Sequence, residues 1–338
     1  MQTTPIHTPA GPLARALAGL ASALTLCAVG SPGAWAQAYP SKPIKIVVPF
    51  VAGGATDSLA RLIAEKMAPR LGQPVIVDNK AGAAGIVGTD LVAKSAPDGH
   101  TVVLGLSNSM LTNQFLFNKL PYNAQRDLVL VSQIAVAPLV LVVHPSVPAS
   151  NGAELVAYVT QNKGKLSYGS YGQGSYPHLA GNFMSASLNA DMAHAAYKGE
   201  AAMVQDLLGG QIQMAYASAA VVKPHIDAGK LKAIGVSGRT RMSTLPGMPT
   251  LAEQGLKDEV YQATGWLAMA MPAQTPPAVV QRFASELSAT CALPEVRQRI
   301  GAMGFETVCS SPEAFAALYK QELPVWEHII KLSGVKLD

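Results

Sequence analysis

The segment "IKIVVPFVAGGATDSLARLIAEKM", residues 44 to 67, restricts the possible folds more than any other stretch of the chain. An apolar run, Ile44 to Val48, reads as a buried strand. Gly53 and Gly54 follow, and then Leu59, Leu62, Ile63 and Met67 recur at helical spacing. A strand, a glycine turn and an amphipathic helix in that order make a βα unit, and the order repeats. "PVIVDN" and "TVVLGL" are further strands, separated by a glycine-rich turn and a short helix around Thr89 to Lys94. "LVLVVHP" (139 to 145) closes this first set. A second begins with a helix from Asn151 to about Lys163 and continues through "LSYGSYGQGSYPHL", the helix "GEAAMVQDLLGG", and the strands "IQMAYAS" and "KAIGVS". Repeated βα units imply an α/β fold of open, mostly parallel sheets covered by helices.

Length and topology divide the chain further. About 300 residues is the size at which one core splits into two. The strands near 139 to 145 and 265 to 271 bracket the second set, so one lobe is expected from both ends of the chain (39–140 plus 265–338). The other (141–264) is inserted between. Local signals predict a capping box at Thr250 and Glu253 in "PTLAEQGL", and a helix start at Ser311 and Pro312. They also predict a kink or stop at Pro324.

Residues 1–38 hold one charged residue, Arg15, then an apolar stretch from Ala16 to Val29 and the small-residue run "SPGAWAQA". This is the pattern of a secretory signal peptide, with cleavage after Ala36 or Ala38. The apolar part is shorter than the roughly 20 residues a membrane span needs. Removing it takes the net charge from +4 to +3. The mature chain thus lacks the basic stripe that nucleic-acid binding requires, and an exported, periplasmic protein is expected. Its remaining cysteines, Cys291 and Cys309, are either a disulfide or two separate buried thiols.

Chemistry is sparse. No GxSxG elbow, HExxH motif or phosphate loop occurs, and the histidines lack metal-ligand spacing, so no catalytic residue, metal or cofactor is expected. What recurs is a glycine turn leading into a helix. "GGATD" (53 to 57) and "SYGQGSYPH" (170 to 178) both do this, while "NKAGAAGIVGTD" (79 to 90) and "GLSNSM" (105 to 110) add further turns. Unpaired first-turn amides and the helix dipole make such places receptive to a carboxylate or phosphate. In open α/β sheets the ligand lies beyond the carboxyl ends of the strands.

The segments "YPSKPIKIVVPFVAGGATDSLAR", "NKAGAAGIVGTDLVAKSAPDGHT", "GSYGQGSYPHL", "YKGEAAMVQDLLGGQI", "LPGMPTLAEQGL" and "MPAQTPP" span the mature chain in order. Together they resemble the extracytoplasmic solute-binding proteins of tripartite tricarboxylate transporters, the Bug-type receptors. The resemblance implies a type II periplasmic-binding (Venus flytrap) fold that closes on a small organic mono- or dicarboxylate, as a monomer serving a membrane permease. It implies ligand contacts at Phe50, Ala52, Gly53, Gly54, Thr56 and Asp57 on one lobe, with Ser107 and Ser109 on the side wall. On the other lobe it implies Ser170, Gly172, Gly174, Ser175, His178 and Tyr197. Thr56 is expected to cap its helix and face the ligand, and Asp57 to order the turn or a bridging water. Against a transport receptor stand two rival readings: a sensor component that presents its liganded shape, and a secreted enzyme on the same scaffold.

Overall fold

The structure is a computed structural model that describes residues 1–2 and 39–337. The expected signal peptide therefore lies outside the described residues, apart from its first two. From Tyr39 onward the chain forms a compact unit built on two sheets.

The strands are β1 (Ile44–Val48), β2 (Val75–Asn79), β3 (Thr101–Leu106), β4 (Leu128–Ala137), β5 (Val140–Val143), β6 (Ser167–Ser170), β7 (Ala193–Ala196), β8 (Met214–Ala217), β9 (Lys232–Val236), β10 (Gly265–Pro272) and β11 (Glu306–Thr307). The helices are α1 (Ala55–Leu71), α2 (Ile86–Ala93), α3 (Asn113–Leu116), α4 (Ala124–Asp127), α5 (Gly152–Gln161), α6 (Tyr176–Ser187), α7 (Glu200–Leu208), α8 (Ala219–Asp227), α9 (Glu259–Gln262), α10 (Pro277–Cys291), α11 (Pro294–Ala302) and α12 (Pro312–Ser333).

The first sheet runs β11-β4-β10-β3-β1-β2 and the second β7-β6-β8-β5-β9. Parallel pairing is confined to β1 with β2 and β3, and to β6 with β7 and β8. The strands next to the crossings, β10 and β5, pair antiparallel with both neighbours, so each sheet is mixed. The chain passes between sheets at Pro138–Leu139 and again through segment 237–264.

Leu59, Leu62, Ile63 and Met67 of α1 are fully buried against the first sheet, as their spacing predicts. Gly72 ends that helix in the left-handed region at φ 67°, its N–H bonded to the Ala68 carbonyl. Helix α12 joins the two halves. Its Phe315 and Trp326 share one apolar core with Val103 and Ala268 of the first sheet and with Tyr168 and Tyr216 of the second.

Four local readings of the sequence are decided by the structure. Ser311 caps α12 by accepting the Ala314 N–H at 3.2 Å. The helix does not stop at Pro324 but runs on to Ser333. Thr250 and Glu253 exchange both bonds of a capping box (2.7 and 3.2 Å), yet the segment is a series of turns and not a helix. Cys291 and Cys309 are joined, with Cα atoms 6.3 Å apart and a sequence separation of 18. A cross-link over a loop of that length contributes about 3 kcal/mol.

Candidate functional site

Because β1, β2 and β3 are parallel, the turns that follow them gather at one edge of the first sheet. Gly53 sits at φ 84°, in the left-handed region that suits glycine. Its N–H donates to Asp57 Oδ2 (2.9 Å), which also receives Arg61 Nε (3.0 Å). Arg61 continues to Asn79 Oδ1 (3.2 Å), and Asn79 Nδ2 donates to the Phe50 carbonyl (3.1 Å). This chain of bonds ties the turn after β1 to the end of β2. Burial raises the Asp57 pKa, but the bonds from Arg61, Gly53 and Asn79 outweigh it and leave a net lowering. Asp57 thus orders the turn. Thr56 is buried in the first turn of α1 but does not cap it: the cap position falls to Gly54, which makes no side-chain cap bond.

The turn after β2 is under strain. Gly82, Ala83, Ala84 and Gly85 all have positive φ, at 148°, 45°, 52° and 88°. The side-chain amides of Asn108 and Asn113 hold the Ala84 carbonyl at 3.3 and 3.1 Å. Those asparagines lie in and just after the π-helical turn Asn108–Thr112 that follows β3. Ser109 is buried and donates to the Leu106 carbonyl (3.2 Å). A Cβ placed on Gly85 would be 2.9 Å from the Ser109 Cβ and 3.3 Å from Phe50 Cζ, so the three turns are in contact. Ser107 is buried, and its Oγ would lie 3.6 Å from a Cβ at Gly265.

The second lobe repeats the arrangement at the ends of β6, β7 and β8. Ser170 Oγ donates to the Gly172 carbonyl (3.0 Å) and lies 2.7 Å from His194 Nε2. Ser175 Oγ donates to the same carbonyl (2.6 Å), leaving α6 without a side-chain cap bond. Gly174 N–H donates to His178 Nδ1 (3.0 Å), so His178 is an acceptor here. Its ring stacks on His194 at 4.0 Å and 8°, and Tyr168 stacks on the other face of His194 at 5.0 Å. Burial, and after it the repulsion between two protonated rings, lowers the His178 pKa to about 4, and burial lowers that of His194 too. Tyr197 anchors its backbone to the Ser170 carbonyl (2.9 Å), while its hydroxyl donates to Asp206 (2.8 Å).

The expected residues are thus assembled as two sets. Phe50, Asp57, Ser107 and Ser109 line one edge, with Ala52, Gly53 and Gly54 exposed at its tip. Ser170, Gly172, Gly174, Ser175, His178 and Tyr197 line the other. Sequence reasoning missed Arg61, Asn79, Asn108 and Asn113, and on the second lobe His194 and Glu200. His194 comes beside Tyr168 through the parallel register of β6 and β7, which no local pattern encodes. Glu200 Oε1 accepts the Ser218 N–H and its Oε2 accepts the Ser218 hydroxyl (2.9 Å). Burial raises its pKa against the effect of both bonds.

The lobes meet on either side of these turns. A Cβ at Gly174 would lie 3.0 Å from both Leu116 Cδ1 and Leu337 Cδ1, and one at Gly304 would lie 3.3 Å from the Ala220 Cβ. A cavity of about 450 Å³ adjoins the crossings, but it includes none of the turn residues. Of its three carboxylates, Glu306 and Glu322 are already bonded to Ser243 and Trp266. The turns offer first-turn amides, hydroxyls and neutral imidazoles, a set suited to an anion held without a buried cation. Among the described residues no group of three or more His, Cys, Asp or Glu gathers to hold a metal. Among them, too, no helix is long and apolar enough to cross a membrane.

Comparison with known proteins gives a consistent picture. Residues 59–335 match the family described as the tripartite tricarboxylate transporter family receptor, TctC. The chain is 37% identical over 317 residues to a protein in the tcbD-tcbE intergenic region of Pseudomonas sp. strain P51, covering 94% of this chain and 93% of that one. It is 33% identical to BugT of Bordetella pertussis, covering 89% and 92%. Among solved structures, the periplasmic binding protein BugD matches at 34% identity and TM-score 0.75, covering 88% and 99%. Rpa4515 of R. palustris with adipate matches at 29% and 0.77, covering 88% and 99%. MatC of Rhodopseudomonas palustris with bound malate matches at 29% and 0.74, covering 86% and 100%.

Proposed function

The chain belongs to the receptor family of tripartite tricarboxylate transporters, and on that premise we propose that it is a periplasmic receptor for a small organic carboxylate. The ligand binds between lobe 39–140 plus 265–338 and lobe 141–264. A monomer then delivers it to a membrane permease of the tripartite tricarboxylate type. The observation that carries this reading is the pairing of two turn systems, one per lobe. Each lies at the carboxyl ends of parallel strands and offers amides and hydroxyls. The adipate and malate held by related structures support the ligand class.

In this mechanism the ligand carboxylate docks on the first-turn amides of α1 or α6, and the opposite lobe swings onto it. Hinging occurs at the two crossings. Closure is driven only to the extent that the closed form binds the ligand better than the open one. Turns on both lobes supply that difference. Phe50, Ala52, Gly53, Gly54, Thr56, Asp57, Ser107 and Ser109 act from one side, and Ser170, Gly172, Gly174, Ser175, His178 and Tyr197 from the other. Ser170 Oγ lies beside His194 Nε2 (2.7 Å), but its proton goes to the Gly172 carbonyl and not to the ring, so the reading is binding without turnover.

Titration calorimetry of the purified mature protein against a panel of small mono- and dicarboxylates checks this. Stoichiometric binding of one or more acids, recovered chemically unchanged, is the expected result. A flat response to the whole panel, or steady conversion of a bound acid, overturns it.

A further inference from the structure

Glu200 brings a carboxylate to the place where the second-lobe turns gather, among amides, hydroxyls and neutral rings. It opens α7 just after β7, while Ser218 precedes α8 just after β8. The order β7-β6-β8 places β6 between them. The two bonds from Ser218 to Glu200 therefore pass across the end of β6, where Ser170 and Tyr171 lie. The charge of Glu200 is felt at the Tyr171 hydroxyl, whose pKa is raised first by burial and then by this carboxylate. Ser218 is also at the lobe junction: a Cβ on Gly304 of the first lobe would be 3.7 Å from the Ser218 Cβ.

Both oxygens of Glu200 accept bonds, one from an N–H and one from an O–H, which suits the ionised form. Among the described residues no lysine or arginine forms an ion pair with it, whereas Asp57 is paired with Arg61. His178 and His194 are held neutral by burial. Glu200 is thus a carboxylate without a cationic partner among the described residues, at the edge where the turns gather.

The geometry points to Glu200 as a specificity-determining residue that selects monocarboxylates whose far end carries a hydrogen-bond donor, a hydroxyl or an ammonium, over acids ending in a second carboxylate. This rests on the reading of the cleft as a carboxylate receptor. One carboxylate is held by the glycine turns, and the far end of the ligand meets Glu200. A second carboxylate there faces a like charge, and in a partly buried site that repulsion lowers affinity by about tenfold or more. A donor group is attracted instead. Discrimination by an unfavourable contact with the wrong ligand is as effective as a favourable one with the right ligand.

Two matched series test the inference by calorimetry: succinate, gamma-hydroxybutyrate and gamma-aminobutyrate, and the adipate-length equivalents. In the wild-type protein the hydroxyl- or ammonium-ended acids bind about tenfold or more tighter than the diacid of equal length. Glu200→Gln keeps an acceptor for Ser218 and removes the charge, so it narrows that ratio to within about threefold, chiefly by tightening the diacid. A matching thermal melt establishes that the variant is folded. If the wild type binds diacids as tightly as their partners, or if Glu200→Gln leaves the ratio unchanged, the Glu200 inference is wrong while the receptor reading stands. If no acid of either series binds the wild type while another acid of the wider panel does, the Glu200 inference is wrong and the receptor reading stands; if the whole panel is silent, both fall.

Discussion

At the scale of single residues, the adjacent glycines of the first turn have different tasks. Gly53 is needed for its backbone, since at φ 84° a side chain is strained whatever space surrounds it. Gly54 has an ordinary extended conformation (φ −79°, ψ 171°), and a Cβ there would meet only the Val51 carbonyl, at 3.8 Å. In the proposed receptor, its task is to leave room for a ligand. Gly54→Trp is therefore expected to abolish carboxylate binding and leave the thermal midpoint within about 2 °C of wild type, because surface changes alter stability by only about 0.5 kcal/mol. Calorimetry and a melting curve on one sample decide it, and unchanged affinity would reduce the stretch to a structural turn. The ordering role of Asp57 was legible in the sequence, since an acid in the first helical turn has free amides within reach. The cap was not. Thr56 is the obvious candidate by residue type, but Asp57 already reaches back to the Gly53 N–H, and that bond leaves Gly54 in the cap position.

At the scale of elements, the turn before α6 depends on one imidazole staying neutral. His178 Nδ1 accepts the Gly174 N–H, so a proton on Nδ1 would set two donors against each other. The folded pKa, about 4, lies below the unfolded value of about 6.5. The unfolded chain then binds more protons between those values, and stability falls as the pH drops from about 6.5 to 4. His178→Gln, which retains an acceptor for Gly174, is expected to flatten the decline. Chemical denaturation across that pH range measures it, and an equally steep decline in the variant would remove His178 as its source. Other elements show which local signals hold when the chain folds. Ser311 caps α12 as its residue type suggests. Thr250 and Glu253 make their reciprocal bonds, but Gly255 at φ 94° and Leu256, whose N–H returns to Leu251, close the segment before a helix can propagate. Pro324 fails to end α12 because it lies on an exposed face, where the Lys320 carbonyl it leaves unpaired is open to water.

At the scale of the whole molecule, the order of the βα units and their division into two sheets follow from the periodicity of the chain. Which strands neighbour one another, and hence that His194 meets Ser170 or that Glu200 reaches Ser218, depends on pairings between segments far apart. Those contacts have no local signature. The contact between Gly304 and Ala220 offers a test of lobe motion, because Ala220 is an exposed helical position that tolerates a larger side chain without backbone strain. Ala220→Trp wedges the lobes apart. The ligand should then bind at least about tenfold more weakly while the melting midpoint stays near wild type, and solution X-ray scattering should show a larger radius of gyration with ligand present. Unaltered affinity would show that closure does not bring these two residues together. The position of β10 has a further consequence, for the time course of folding. It is the seam between β3 and β4, antiparallel to both, yet it begins at Gly265, after the entire second sheet has been traversed. Until that strand arrives, β3 and β4 have no common neighbour and the first sheet is two unjoined fragments. The inserted sheet, by contrast, needs nothing from outside 140–236 to complete its pairings. Such long-range closure makes folding slow, and it makes the inserted half the natural first intermediate, with the amino-terminal half waiting, its edges open, for a strand still to come.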